Sequence, residues 1–145
     1  MPKIVVESAK ATPAVSRALW KGLREFNIAR AGPFRYSRKV LSVRDGAKRL
    51  LGGLIIQSFW RETYIELLWL SEPARKKGFG SKLIKLAERI AQQRGSLLIH
   101  LNTFSFQAPG FYEKHGYRRY GRMSGSPKGE SRHFYVKKLR APDLA

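Results

Sequence analysis

Four basic side chains and two glycines cluster directly after an apolar strand pattern that ends at Leu70; they are Arg75, Lys76, Lys77, Lys82, Gly78 and Gly80. The polar turn and the amphipathic run that follow predict a strand, a loop and the start of a helix. The first N–H groups of a helix lack internal partners and carry partial positive charge, so anions bind there. Glycine has no Cβ, which lets an anion approach the main chain. The stretch therefore predicts a diphosphate site.

A second motif, Gln107 to Tyr117, follows about thirty residues later and combines a helix-opening alanine, the sequence Phe-Tyr-Glu-Lys and a glycine before an aromatic residue. Together with Arg75-x-x-Gly78-x-Gly80, its order and spacing resemble the two signatures of the GNAT superfamily of N-acetyltransferases. The resemblance covers the chain from about Ile4 to Leu139. Each motif has a structural alternative: a solvated basic helix start for the first, and a surface helix capped by Gly116 for the second.

The resemblance implies an N-acetyltransferase that uses acetyl-CoA as acyl-donor cosubstrate and transfers the acetyl group directly to a primary amine. It implies a cofactor-binding site made of a strand end, the basic loop with its helix start, and one position before the second motif: Leu68, Trp69, Leu70, Arg75, Lys76, Lys77, Gly78, Phe79, Gly80, Ser81 and Ser105. Two positions depart from the family pattern. Lys76 stands where a glycine is frequent, and Ser105 replaces a frequent asparagine.

Tyr112 and Glu66 are the candidate catalytic residues. Tyr112 matches the family's tyrosine that protonates the departing thiolate; its alternative is a plain core aromatic. Strict alternation along residues 63–70 places Glu66 on one face with Leu68 and Leu70. A carboxylate among apolar neighbours is costly unless paired or used. Glu66 is therefore either a general base, acting directly or through water, or the partner of a basic side chain.

The elements that position these groups begin with an N-terminal region of a short strand, residues 4–6, and a helix over residues 12–29 that starts at Thr12-Pro13. An apolar stripe on this helix is formed by Val15, Leu19, Leu23 and Phe26. Residues 39–70 predict an antiparallel meander of three strands, in which Gly52-Gly53 indicates a bulge or a close backbone approach.

The second half of the chain predicts a parallel unit of strand 63–70, helix 78–94 and strand 97–102. A short helix and two closing strands follow. The resemblance adds that the two parallel strands splay apart and that the pantetheine arm enters the gap. The expected fold class is α/β (α+β), with a mixed, mostly antiparallel central sheet of about six to seven strands and about four flanking helices.

Composition sets the broad class of the protein. With 145 residues and 43% hydrophobic content, we expect residues 1–145 to form a single acetyltransferase domain. There is no cysteine, which favours direct attack by the amine, and the three histidines lack ligand spacing, so we expect no metal site. No apolar run approaches the roughly 20 residues of a membrane span, and no signal-peptide pattern occurs. We expect a cytoplasmic protein with no membrane partner.

The net charge is unusual, because 29 Lys and Arg residues against 10 Asp and Glu residues give +19. Polyanions are candidate partners, and nucleic acid is the first of them. The alternative to a polyanionic partner is a basic surface that contacts only solvent. A basic nucleic-acid-binding domain, or an acetyltransferase acting on an RNA-borne or protein-borne amine, therefore stands as the alternative function. A monomer and a homodimer are both compatible with the sequence.

Overall fold

The computed structural model describes residues 1–140, which fall into two compact units. The first unit, Met1–Phe34, contains one helix, α1, Thr12–Ala31. Pro13 lies in its first turn, and Gly32 ends it at φ +84° with its N–H bonded to Ile28 O. The predicted helix is confirmed, and Leu19, Leu23 and Phe26 of its apolar stripe are exposed.

The second unit begins at Arg35 and is built on a six-stranded mixed sheet. Its strands are β1 Ser37–Arg44, β2 Leu50–Phe59, β3 Glu62–Leu70, β4 Leu98–Phe104, β5 Arg118–Ser124 and β6 Ser131–Lys138. Its helices are α2 Phe79–Gln93 and α3 Pro109–Lys114, with a 3-10 turn at Glu72–Ala74. The strand order is β1-β2-β3-β4-β6-β5, in which β3 and β4 are parallel and the other neighbours antiparallel. The predicted meander and parallel unit are confirmed.

The N-terminal strand expected at residues 4–6 is wrong, because this segment pairs with no strand of the described chain and its side chains are exposed. Three apolar residues form too few backbone hydrogen bonds to hold a strand without a neighbour. Residues 1–140 contain three α-helices rather than about four. No helix in this part of the chain is long and apolar enough to cross a membrane.

A β-bulge in β3 decides which way its side chains point. Ile65 pairs with Ile56 and Leu67 pairs with Ile55, so Glu66 is an extra residue between them. The side chains that pack toward the core are those of Ile65, Leu68 and Leu70. The opposite face of the sheet, which we call the far face, carries Tyr64, Glu66, Leu67 and Trp69. The expectation that Glu66 faces the same way as Leu68 and Leu70 is therefore wrong, because the bulge resets the alternation.

The core fills the space between the sheet and the two helices α2 and α3. Ile84 of α2 and Tyr112 of α3 belong to the same buried cluster as the strand residues Leu54 and Ile99. The close backbone approach predicted at Gly52-Gly53 is confirmed: a Cβ on Gly53 would lie 2.3 Å from Leu41 O.

Candidate active site

A cleft opens where β3 and β4 stop pairing. The two strands are joined at Glu62 to Tyr64, opposite Leu98 to His100, although β3 continues to Leu70 and β4 to Phe104. The gap between their later halves is a cleft of about 910 Å³. Main-chain groups of β3 that point toward β4 have no strand partner beyond Tyr64 in the described chain, so those that no side chain holds are available to a ligand. The expected splay is confirmed.

The cleft brings together side chains from both sequence motifs and from the diverging strands. Eight of the residues singled out from the sequence line it: Glu66, Leu68, Trp69, Leu70, Arg75, Lys76, Gly80 and Tyr112. The lining also includes ten residues that were not candidate site residues from the sequence, three of which, Gln107, Ala108 and Phe111, belong to the second motif. The other seven are Ile65, Leu67, Leu101, Asn102, Thr103, Phe104 and Phe106. Five of these ten belong to or directly follow β4, and the parallel pairing of β3 with β4 was the signal that could have found them.

The start of α2 has the features of an anion site. Gly78 precedes the helix at φ +81°, and no side chain caps the helix, so its first N–H groups stay unoccupied by the protein. A Cβ on Gly80 would lie 3.1 Å from the Phe111 ring, so only glycine leaves the main chain bare here. Lys76 has φ +59°, a conformation that favours glycine, at the position where the family often has one. The uncapped N–H groups beside the bare main chain of Gly80 fit a phosphate group.

Arg75 turns back toward β3, where its Nε donates to Leu70 O at 3.0 Å. The same interaction ties the basic loop to the end of the strand. The neighbouring Lys77 is exposed and does not line the cleft. The loop therefore holds positive charge at the mouth of the cleft without closing it.

Tyr112 lies on α3 and lines the cleft while being 6% exposed. Its ring packs edge-on against Phe111 and Tyr117, with centroids 5.2 and 5.9 Å away. Burial raises the pKa of its hydroxyl to about 12. Tyr112 is therefore a neutral phenol at physiological pH, and it can donate a hydrogen bond into the cleft.

Glu66 lines the far-face side of the cleft and is held by two neighbouring strands. Arg38 Nε and Nη2 donate to its carboxylate at 3.2 and 3.3 Å, and Gln57 Nε2 donates at 2.9 Å. Hydrogen bonding from Arg38, and then from Gln57, holds the pKa of Glu66 below its ordinary value. The partner anticipated among the basic side chains is thus Arg38, and the hydrogen bonds from Arg38 and Gln57 outweigh the opposing effect of desolvation on the Glu66 pKa.

Four of the singled-out residues lie outside the cleft lining, at or before the first turn of α2: Lys77, Gly78, Phe79 and Ser81. Ser81 is engaged with α3 through His115. Because Phe111 O can only accept, His115 Nδ1 donates to it at 2.8 Å, and Ser81 Oγ then donates to His115 Nε2 at 3.0 Å. This bridge fixes the start of α2 relative to α3.

Ser105 does not line the cleft, because its hydroxyl is bound elsewhere. Its Oγ donates to a Glu130 carboxylate oxygen and accepts from Ser131 N at 3.0 Å. The place expected for a cofactor contact is thus used to tie the end of β4 to the β5–β6 hairpin. Within residues 1–140, no group of three His, Asp or Glu side chains is arranged to hold a metal ion.

Comparison with known proteins gives consistent matches. Residues 14–117 match the model of the acetyltransferase (GNAT) family. A blasticidin-S acetyltransferase from Streptomyces morookaense is 31% identical over 140 residues, covering 96% of this chain and 98% of that protein. A crystal structure of an acetyltransferase from Bacillus cereus is 32% identical, with a TM-score of 0.83 over 95% of this chain and 98% of that one. A putative acetyltransferase from Agrobacterium tumefaciens gives a TM-score of 0.85 at 25% identity, over 96% and 100% of the two chains.

The class of protein is an acyl-CoA-dependent acyltransferase. It is defined by the diverging parallel strands, the uncapped helix start at the glycines and these matches. The chain belongs to the GNAT family of acetyltransferases. It is an acyl-CoA-dependent acetyltransferase, and acetyl-CoA is its donor.

Proposed function

We propose that this protein transfers the acetyl group of acetyl-CoA directly to the primary amine of a small molecule. The single observation that carries the proposal is the cleft between β3 and β4, which has an uncapped helix start at one end and the buried Tyr112 hydroxyl in its wall. Acetyl-CoA supplies the acetyl group as a thioester. Transfer forms a C–N bond and breaks the C–S bond, while the nitrogen loses a proton and the sulfur gains one.

Donor binding is assigned to the start of α2 and to the β4 side of β3. The N–H groups of the first turn, at Phe79 to Ser81, face no capping side chain and suit the diphosphate. Basic side chains from Arg75 to Lys82 add attraction at this end. On the β4 side, the main chain of Leu68 and Trp69 has no strand partner and suits the amide groups of the pantetheine arm.

Tyr112 acts as a hydrogen-bond donor to the sulfur rather than as the final proton source. Its pKa of about 12 lies about 3.5 units above that of a thiol near 8.5. Complete proton transfer from this phenol to a thiolate therefore costs about 5 kcal/mol. A hydrogen bond to the developing negative charge avoids that cost, and the proton that the amine releases reaches the thiolate afterwards through solvent.

Glu66 acts as a fixed anion beside the acceptor nitrogen rather than as a strong base. An ordinary glutamate pKa lies about six units below that of a lysine-like ammonium, and the Arg38 contact lowers the Glu66 pKa further. The acceptor amine must lose a proton before it attacks. Release of that proton to solvent, through a water that Glu66 orients, is more favourable than direct transfer to the Glu66 carboxylate. A weakly basic acceptor amine needs less free energy to lose its proton.

The small-molecule acceptor is supported by the relative from Streptomyces morookaense, whose name gives blasticidin S as its acceptor. Blasticidin S is accordingly the first acceptor to test. We expect release of CoA thiol to depend on the amine when the protein, acetyl-CoA and an amine panel including blasticidin S are combined. The matched control replaces each amine by its N-acetylated product. The proposal is refuted if no amine raises the rate of thiol release above the rate with acetyl-CoA alone.

A second candidate is an amine borne by RNA or protein, and the net charge of +19 favours it. The edge strand β5 carries Arg118, Arg119 and Arg122, and all three are exposed. Single-stranded RNA binding of this kind weakens steeply with salt. RNA that stabilises the protein equally at 50 and 300 mM salt, or not at all, removes the RNA-borne amine, and a lysine peptide that releases no CoA thiol from acetyl-CoA removes the protein-borne one.

A further inference from the structure

The side chains that line the cleft divide between the two faces of the sheet. On the core side the lining comes from α2, α3 and inward strand residues, among them Gly80, Tyr112 and Leu68. On the far-face side it comes from Glu66, Leu67 and Trp69 of β3 and from Asn102 and Phe104 of β4. Because the anion site and Tyr112 belong to the core side, the acceptor has the far-face side left to it.

The far-face side of the cleft is aromatic on both walls. On the β3 wall Trp69 is 52% exposed, and on the β4 wall Phe106 is 59% exposed. The rings of Phe104 and Phe106 stack with centroids 5.3 Å apart and planes 10° from parallel. Half-exposed aromatic rings that line a cleft are apolar surface which a ligand can cover.

The aromatic pair on the β4 wall is held in place before any ligand arrives. The Arg132 guanidinium lies 4.7 Å from the centre of the Phe104 ring, on the strand that pairs with β4. Asn102 Nδ2 donates to Tyr64 Oη at 3.1 Å, which bridges the two diverging strands at the base of the far-face side. Rings fixed in this way lose little freedom when a ligand stacks on them.

Charge limits the acceptor further. Glu66 is the single carboxylate in the cleft lining of the described chain, and Arg38 already neutralises it. Arg75 and Lys76 line the same cleft, in a chain of net charge +19. A polycationic acceptor meets no unpaired negative partner here, whereas an uncharged planar body meets aromatic rings.

We propose that the acceptor carries its amine on a planar aromatic or heteroaromatic ring, which stacks in the far-face side of the cleft on Trp69 and on the Phe104–Phe106 pair. This inference rests on the proposed amine acetylation at the same cleft. Trp69 and Phe106 are then specificity-determining residues that contact the body of the acceptor.

The test compares phenethylamine with 2-cyclohexylethylamine, two amines of similar size of which only the first has a flat π-face. We expect wild-type kcat/KM to favour phenethylamine by about two- to tenfold, in line with the usual worth of an aromatic contact. Trp69→Ala and Phe106→Ala bring that ratio to about one, and Trp69→Phe keeps part of the preference. Because only the main chain of Trp69 is assigned to the donor, these side-chain changes should leave KM for acetyl-CoA within about twofold. Tyr120→Ala is the matched control, because Tyr120 is 58% exposed on β5 and outside the cleft lining.

Saturation-transfer NMR with each amine and no acetyl-CoA supplies a readout that does not depend on turnover. Ring-proton saturation of phenethylamine that falls in Trp69→Ala and persists in Tyr120→Ala supports the inference. It does so even where neither amine is acetylated, and in that case only the proposed function fails. Turnover with an unchanged amine ratio and unchanged saturation in both cleft variants overturns the inference alone. A large rise in KM for acetyl-CoA also overturns it, since the rings would then belong to the donor.

Discussion

Gly80→Glu is the sharpest perturbation of the anion site at the start of α2. Gly80 is buried, and a Cβ there would lie 3.1 Å from Phe111 Cζ. The new carboxylate would therefore be pushed toward the cleft, where the phosphates of acetyl-CoA are proposed to lie. A carboxylate about 5 Å from one phosphate charge costs about 3 kcal/mol at an effective dielectric constant of about 20. That energy corresponds to a loss in affinity of about 150-fold.

The assay is thermal unfolding with and without acetyl-CoA at about 100 times the wild-type Kd. Wild-type protein should gain about 2.7 kcal/mol, which for 145 residues raises Tm by about 9 °C. At the same acetyl-CoA concentration, Gly80→Glu should retain a shift of only about 1 °C. Each variant is compared with its own unliganded Tm, so a change in intrinsic stability does not enter the difference.

Two further variants control for size and for charge. Gly80→Ala adds only the methyl group, so Phe111 must yield by a few tenths of an ångström and an intermediate shift is expected. Gly46→Glu adds the same side chain in the β1–β2 turn, where a Cβ meets nothing within 4 Å, and should keep the wild-type shift. Wild-type shifts in both Gly80 variants would refute the assignment of the diphosphate to this helix start.

Three other outcomes follow from the contacts in the second unit. Tyr112→Phe should lower kcat at least about tenfold with KM for acetyl-CoA nearly unchanged, and equal kcat would remove the hydroxyl from the reaction. Arg38→Ala removes the hydrogen bonds that lower the Glu66 pKa, so the midpoint of its carboxyl ¹³C titration should move to higher pH; a midpoint that stays or falls contradicts the ion pair. Thr63→Val should cost about 1–3 kcal/mol in urea unfolding, because Thr63 Oγ1 links the buried hydroxyls of Ser58 and Ser96 at 2.8 Å each; a neutral result shows that these hydroxyls find other partners.

The fold was largely predictable because its signals are local. Apolar alternation and the turn residues predict all six strands within about two residues, with the closing strands expected at residues 117–122 and 133–139. The run from Leu70 to Gly80 predicts the strand, loop and helix start that follow one another. The short run at residues 4–6 failed because strand formation depends on a neighbour that local sequence does not reveal.

The candidate site was predictable only in part. Gly78 and Gly80 could be found because their backbone conformation and missing Cβ are properties of single positions. Ser105 could not be assessed, because its partner Glu130 is 25 residues away in the sequence. Phe104 and Phe106 acquire a role only when β4 is seen to diverge from β3.

The sequence by itself determined a basic, glycine-containing helix start after an apolar strand, because main-chain conformation and helix-end polarity depend on residues a few positions apart. The tertiary structure decided which side chains meet across the sheet. A single extra residue in β3 turned Leu68 and Leu70 to the core side and left Glu66 on the far face beside Arg38, and the early end of β3–β4 pairing opened the cleft between the two strands. Strand register couples residues that are distant in the chain, and one inserted position reverses the face of every side chain beyond it.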